Sequence, residues 1–173
     1  FSKNGIIEEC IEGKEVSVET ITYKGEHQII AITDKVITKA PYFVEIEHHQ
    51  PSAFDEETIH KINELSLAIL DATKVTFGIS HIELMVTKKG DVKAIEIGSR
   101  MGGDFIGSDL IKLSTGIDFV QVALDCALGK LNLPLVKKEN KFSGVYFLSE
   151  ETGYLLPVFD QGYINRSVVK KEI

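Results

Sequence analysis

The sequence has no tryptophan, two cysteines and four prolines in 173 residues, and it lacks long apolar runs. Cys10 and Cys126 lie far apart outside any CxxC motif, so we expect reduced thiols in a cytoplasmic protein. No segment approaches the roughly 18 apolar residues of a membrane span, and no signal peptide opens the chain, so no membrane partner is expected. The 19 basic residues against 26 acidic ones give a net charge of −7, which argues against nucleic-acid binding.

Hydrophobic residues are plentiful, at 43% of the chain, which is typical of a globular domain. A chain of this length buries roughly 70% of its unfolded surface on folding, so a core without disulfides is expected. The chain starts at Phe1 without a methionine. We therefore expect a fragment of a longer protein.

Short β-branched runs and turn signals occupy the first part of the chain. They predict an antiparallel meander with strands over residues 6–11, 15–22 and 26–32. The turns are predicted at Glu12-Gly13-Lys14 and at Lys24-Gly25. Residues 33–54 contain prolines and have no helical period, which predicts a long connection that is either a functional loop or a surface excursion.

A change of period after the connection predicts helices. Apolar residues recur every three to four positions over 55–72, behind acidic residues that suit a helix N-terminus. Further helices are predicted over 105–113 and from Asp118 as N-cap to Gly129. Residues 142–148 are strand-like and 149–173 are rich in turns. The predicted fold class is α+β, an antiparallel sheet with helices packed on it, in residues 1–133, followed by a small β-rich tail over 134–173.

Two strand-like runs, HIELMV at 81–86 and VKAIEI at 92–97, surround a short glycine-containing loop and predict a hairpin. With Thr87 facing Val92, the register places Glu83 opposite Glu96. Carboxylates directly across an antiparallel pair lie about 5 Å apart and repel. A shared Mg²⁺ would relieve this repulsion; a raised pKa on one carboxylate or solvation on an exposed face are the alternatives.

Arg100 follows Glu96 by four residues, within the glycine-rich stretch GSRMGGD at 98–104. A guanidinium near metal-binding carboxylates is suited to stabilise transferring phosphoryl oxygens. The alternative is structural, in which Arg100 pairs with Glu96 or Asp104 and holds the turn.

At these residues the chain resembles the ATP-grasp superfamily of carboxylate–amine ligases. IIEECIEGKE at 6–15 resembles the strand that holds adenine and ribose, and HIELMV…VKAIEIGSRMGGDFIG at 81–107 resembles the magnesium-binding hairpin with its substrate loop. The resemblance covers roughly residues 1–130. The tail resembles the β-rich region that follows the grasp in biotin carboxylase and the purine-biosynthetic ligases.

The resemblance implies the nucleotide contacts. It implies an adenine pocket, lined largely by backbone, at Glu8, Glu9, Cys10 and Ile11. Glu15 would accept hydrogen bonds from the ribose hydroxyls. Lys35 would match a phosphate-contacting lysine. The implied cofactor is ATP with magnesium, or with manganese in its place.

The resemblance also implies the reaction centre. Glu83 and Glu96 would bridge the metal to the phosphates, and Arg100 would face the γ-phosphate and the acyl-phosphate intermediate. His81 would either touch the substrate or be a packed or solvated histidine. The substrate loop would include Gly102 and Gly103.

The chain departs from the superfamily in two ways. Many members have Glu-x-Asn where this chain has Glu96-Ile97-Gly98, which leaves the coordination of a second metal open; the wording EIGxRMGGD resembles a subgroup of amino-acid ligases. The paired phosphate-binding lysines, the flexible glycine-rich loop and the N-terminal substrate domain cannot fit before Phe1. The resemblance therefore implies the C-terminal part of an enzyme, weak nucleotide binding by the chain alone, and association with N-terminal domains or as a homo-oligomer.

The leading hypothesis is thus an ATP-dependent ligase that activates a carboxylate as an acyl phosphate for attack by an amine. The carboxylate is an amino acid, a glycinamide precursor or bicarbonate. A noncatalytic α+β module for subunit contacts is the alternative. A zinc site at His48, His49 and His81 is a weaker hypothesis, because adjacent histidines point in different directions and the spacing matches no ligand set.

Overall fold

The computed structural model describes residues 5–38 and 42–147. Six strands form one antiparallel sheet in the order β5-β4-β1-β2-β3-β6. The elements in chain order are β1 Gly13–Tyr23, β2 Glu26–Ile37, β3 Glu45–Gln50, α1 Glu56–Ala72, β4 Phe77–Thr87, β5 Val92–Gly98, a π-helical turn Ile106–Leu110, α2 Ile111–Thr115, α3 Phe119–Ala127 and β6 Ser143–Tyr146. An antiparallel sheet with helices packed on it confirms the predicted fold class.

Helix α1 covers one face of the sheet. Asp55 begins it by accepting a hydrogen bond from the Thr58 amide at 2.8 Å, and acidic residues follow in the first turn. Its buried side chains meet the even-numbered face of β1. This core contains Val16, Val18, Ile32, Ile62, Leu70, Ile82, Leu84 and Val86. The predicted helix over 55–72 is confirmed.

The opposite face of the sheet is divided into two halves. Around Ile21 it is covered by α2, α3 and the segment after them, in a core that contains Ile21, Ile30, Ile111, Phe119, Val122 and Cys126. Asp118 begins α3 as predicted, and Gly129 follows its end in the left-handed conformation. Towards the start of β1 the same face carries Glu15, Ser17 and Glu19. The candidate site lies in this polar half.

Three predictions for the first part of the chain are wrong: one strand, one turn and one connection. Residues 5–12 have no regular structure, because β1 begins at Gly13 and its neighbours on both sides, β2 and β4, are already paired with it. The predicted turn at Glu12-Gly13-Lys14 is therefore the beginning of a strand. The predicted long connection over 33–54 holds the end of β2 and all of β3. β3 carries polar residues on both faces, His48 towards the site and Glu47 and His49 on the other side, so the apolar alternation of a strand is missing there.

The remaining segments follow the prediction with shifted bounds. The helix predicted over 105–113 is found as the π-helical turn with α2, and the strand predicted over 142–148 is found as β6. The prediction for 149–173 lies outside the described residues, and the domain boundary at 133 stays a prediction. No helix within residues 5–38 and 42–147 is long and apolar enough to cross a membrane.

Candidate active site on the polar half of the sheet

Glu83 and Glu96 face each other across β4 and β5, as the sequence predicts. The strand register that produces this pairing differs from the predicted register. Val86, and not Thr87, faces Val92, and a bulge beside Glu83 then restores the predicted pairing. Glu83 is half-buried, whereas Glu96 is exposed.

Lys35 lies among three carboxylates from three other strands or strand ends. Its Nζ atom is 2.6 Å from Glu15, 2.6 Å from Glu45 and 2.8 Å from Glu83, and its side chain is only 2% exposed. Oxygens of these three carboxylates lie within 4.8 Å of one another. Without the lysine, this would be a strongly repulsive cluster, so Lys35 offsets part of the negative charge at the base of the site.

The pKa values in this cluster are shifted in the direction that favours the charged forms. Burial lowers the pKa of Lys35, but the hydrogen bonds to Glu15, Glu45 and Glu83 outweigh it and raise the pKa above its usual value. The hydrogen bond from His81 lowers the pKa of Glu83 to about 2, against the effect of burial and with help from Lys35. The proximity of the His48 ring, and then Lys35, lowers the pKa of Glu45 to about 2, again against burial.

His81 joins two carboxylates beneath the site. Its Nδ1 atom makes a short contact with Glu19, and its Nε2 atom lies 3.1 Å from Oε1 of Glu83. Burial lowers the pKa of His81, but the bonds to Glu19 and Glu83 outweigh it and raise the pKa to about 9. The ring is therefore an imidazolium at neutral pH. The other oxygen of Glu19 accepts a hydrogen bond from the Gly102 amide at 2.9 Å.

The glycine-rich stretch after β5 borders the other side of the site. Arg100 is exposed and donates to the Met101 carbonyl at 3.1 Å. Within the described residues Arg100 forms no ion pair, so the predicted structural pairing with Glu96 or Asp104 is not found there. A cavity of about 290 Å³ lies between this stretch and the sheet, lined by Lys35, Glu45, His81, Glu83, Arg100, Gly103, Asp104 and Ile106.

The histidines of the zinc hypothesis are not brought together. β3 alternates, so His48 faces the site while His49 pairs with Glu47 at 2.8 Å on the other side. His48 is buried, with Nε2 3.1 Å from Glu45. Among the described residues, no candidate metal cluster contains two histidines.

The predicted adenine segment lies beside the hairpin. Glu8, Glu9 and Cys10 are exposed, and Glu9 pairs with Lys93 of β5 at 2.9 Å. The roles of this segment and of Glu15 stay predictions. The sequence analysis missed Glu19 and Glu45, and it named His48 only as a zinc ligand. Glu15 and Glu19 are four residues apart, which places both on one face of a strand. This spacing was the available signal for Glu19.

Comparison with known proteins identifies the family of the chain and several relatives. The family described as the ATP-grasp domain matches residues 2–109. The L-arginine-specific L-amino acid ligase of Bacillus subtilis is 25% identical over 123 residues, which are 71% of this chain and 30% of that protein. The crystal structure of the L-amino acid ligase from Bacillus licheniformis is similar with a TM-score of 0.73 and 29% identity, over 81% of this chain and 35% of that one.

A more distant structure shares the fold. The phosphoribosylglycinamide synthetase from Anaerococcus prevotii is similar with a TM-score of 0.68 and 20% identity, over 79% of this chain and 35% of that one. The chain thus spans about a third of the length of these relatives.

Proposed function

Because the chain belongs to the ATP-grasp domain family, we propose that it supplies the metal- and nucleotide-binding residues of a ligase that joins a carboxylate to an amine. The observation that carries the proposal is the cross-strand pairing of Glu83 with Glu96, together with a cavity that Glu83 and Arg100 both line. The chain spans only about a third of the length of its relatives, so the activity of the whole protein is also part of this proposal.

The donor atoms of the pair fit Mg²⁺ or Mn²⁺, which prefer carboxylate oxygens and complete their shell with water and phosphate. Lys35 and His81 both contact Oε1 of Glu83. We therefore assign Oε2 of Glu83, together with the exposed carboxylate of Glu96, to the metal. A metal bound there would neutralise negative charge on the phosphates.

The nucleotide would lie along the edge formed by the start of β1. Backbone groups of residues 8–11 would contact adenine, and Glu15 would accept from the ribose hydroxyls. Glu15 now pairs with Lys35 at 2.6 Å, so it has a second oxygen available for this purpose. For Lys35 to contact the phosphates, its Nζ atom would exchange one of its three carboxylate partners for a phosphate oxygen.

The reaction would proceed in two transfers. A carboxylate oxygen of the substrate attacks the γ-phosphorus and ADP leaves; the amine nitrogen then attacks the acyl carbon and phosphate leaves. Arg100 would face the transferred phosphoryl oxygens, where a guanidinium stabilises developing charge. The backbone around Gly102 and Gly103 would hold the substrate close to that point.

We propose an amino acid as the carboxylate substrate. The cavity carries both signs of charge: Arg100 suits a carboxylate, whereas Glu45 and Asp104 suit an ammonium group. Two relatives bear the name L-amino acid ligase. Exposed apolar side chains such as Ile6, Ile7 and Phe142 support the further proposal that the chain associates with a second copy or with other domains.

The test is binding of magnesium-ADP to the chain, measured by isothermal titration calorimetry. Glu96→Gln should weaken binding at least tenfold. Glu64→Gln, at an exposed position of α1, is the matched control and should bind as the wild type does. Equal affinity of the two variants would remove Glu96 from the site. If a protein extended by the N-terminal part of the grasp also fails to bind the nucleotide, the noncatalytic module is favoured.

A further inference from the structure

We propose that Glu19 is a positioning residue that connects the glycine-rich stretch at Gly102 to Glu83 through His81. The proposal rests on the proposed function only in assigning Glu83 to the metal. The connection itself depends on contacts within the described residues.

The contacts form an unbroken chain beneath the cavity. The Gly102 amide donates to Oε2 of Glu19 at 2.9 Å, and Oε1 of Glu19 contacts Nδ1 of His81. Nε2 of His81 then reaches Oε1 of Glu83 at 3.1 Å. The backbone beside Arg100 and the metal-binding hairpin are therefore two ends of one hydrogen-bonded series.

Glu19 has no other evident purpose in the core. It is fully buried, and a buried carboxylate is unfavourable unless it is paired. In the described part of the chain no lysine or arginine pairs with it, so His81 is its cationic partner. Both its oxygens are committed to groups that border the cavity, and neither is used to hold α1, α2 or α3.

The backbone of Gly102 is packed closely against the other members of this connection. A Cβ atom at Gly102 would lie 2.6 Å from Oε1 of Glu19 and 2.9 Å from Nδ1 of His81. The backbone of Gly102 therefore rests directly on the Glu19–His81 pair. A displacement of Glu83 moves His81, and a displacement of His81 moves the carboxylate that holds the Gly102 amide.

Coupling between two sites is reciprocal. A cation that draws Glu83 towards Glu96 should therefore order the backbone at Gly102, beside Arg100. The arrival of the metal-nucleotide would in this way prepare the stretch that receives the carboxylate substrate.

The chain offers a matched pair of variants. Glu19→Gln keeps the volume and an acceptor for the Gly102 amide but removes the charge that holds His81. Glu47→Gln is the control, because Glu47 pairs with His49 in the same sheet, away from the site. Magnesium-ADP affinity by calorimetry and amide hydrogen exchange at Gly102 by NMR are measured for both. Circular dichroism verifies that each variant is folded.

In the wild type and in Glu47→Gln, magnesium-ADP should slow exchange at Gly102 at least tenfold. In Glu19→Gln this slowing should be absent, and the affinity for magnesium-ADP should fall about tenfold. A merely structural role of Glu19 would change the basal exchange rate but preserve the response to the nucleotide. Wild-type affinity together with a preserved response in Glu19→Gln would overturn the proposal.

A second comparison separates this proposal from the proposed function and replaces Glu19→Gln if that variant does not fold. In the chain without nucleotide, His81→Ala should accelerate exchange at Gly102 at least tenfold, although His81 does not bond that amide. His49→Ala should leave the rate unchanged. If the wild-type chain does not bind magnesium-ADP, the connection is judged by this result alone. An unchanged rate in His81→Ala would refute the connection.

Discussion

The Lys35 ammonium and the Glu83 carboxylate form an ion pair in which Nζ lies 2.8 Å from Oε1, on a lysine side chain that is 2% exposed. The same oxygen is contacted by His81. Two cations at Oε1 keep the Glu83 carboxylate ionised. Because these contacts hold Oε1 in place, they also fix the position of Oε2. The Lys35–Glu83 pair thus both stabilises the sheet and orients the carboxylate that is proposed to bind the metal.

Replacement of Lys35 by methionine should be strongly destabilising. It would leave Glu15, Glu45 and Glu83 facing one another without their common cation. Removal of one partner from a buried ion pair costs about 3 to 5 kcal/mol, so we expect a loss of this size in the free energy of unfolding at pH 7. Urea denaturation measures it.

A surface lysine gives the control for that substitution. Lys61 pairs with Glu57 on α1, where both side chains are largely accessible to solvent. Exposed pairs contribute less than about 1 kcal/mol, so Lys61→Met should change stability little. A similar loss in both variants would show that the methionine itself, and not the carboxylate cluster, is responsible.

Stability should be highest between about pH 4.5 and pH 6.5. The pKa values of Glu45 and Glu83 are lowered to about 2, so their contribution is present above their ordinary value of 4.5 and is lost as the pH falls towards 2. The pKa of His81 is raised to about 9, so its contribution is present below its ordinary value of 6.5 and is lost as the pH rises through 9.

Urea denaturation from about pH 2 to about pH 10, a range that covers the shifted pKa values of Glu45, Glu83 and His81, tests this dependence. We expect the free energy of unfolding to fall by about 1 to 3 kcal/mol on the acid side. Glu83→Gln should reduce the acid slope, and Glu64→Gln should not. An acid slope that is the same in the wild type and in Glu83→Gln would contradict the assigned cause.

The parts of the structure that could be predicted from the sequence are those that depend on local patterns. Helix α1 has a cap, an acidic first turn and a periodic apolar face, and α3 has a cap and a glycine after its end. The hairpin follows from two strand-like runs around a turn. Its pairing of Glu83 with Glu96 was obtained although the loop register was one residue off, because a β5 bulge compensates for the difference.

The parts that could not be predicted depend on contacts between distant residues. β3 is polar on the face that meets Lys35, so its alternation is hidden until its neighbours are known. The role of Glu19 emerges only when β4 and the stretch after β5 are placed against β1. Residues 6–11 have the composition of a strand, but among the described residues they pair with no strand, and strand composition alone does not reveal this.

Glu96→Gln should separate function from stability. The Glu96 side chain is exposed and pairs with no cation within residues 5–38 and 42–147, so its replacement should change the free energy of unfolding by less than about 0.5 kcal/mol. Relief of repulsion with Glu83 would make the change slightly stabilising. ATP turnover by the complete enzyme should nevertheless be abolished. A thermal melt and a phosphate-release assay measure the two effects, and wild-type turnover would exclude Glu96 as a metal ligand.

Two adjacent glycines of the substrate stretch should respond differently to alanine. A Cβ atom at Gly102 would lie 2.6 Å from Glu19 and 2.9 Å from His81, whereas a Cβ atom at Gly103 would meet nothing within 4 Å. Overpacking of a buried site costs about 1 to 3 kcal/mol, so Gly102→Ala should be destabilised by this amount and Gly103→Ala should be close to the wild type.

Urea denaturation of the two variants measures this difference, and the comparison controls for the change in composition and for the loss of glycine entropy in the unfolded state. If the Gly102 backbone rests on the Glu19–His81 pair, only the first substitution forces that pair to move. Equal stabilities of the two variants would show that the glycine-rich stretch shifts to accommodate the extra methyl group. The close contact of Gly102 with the Glu19–His81 pair would then not constrain the backbone.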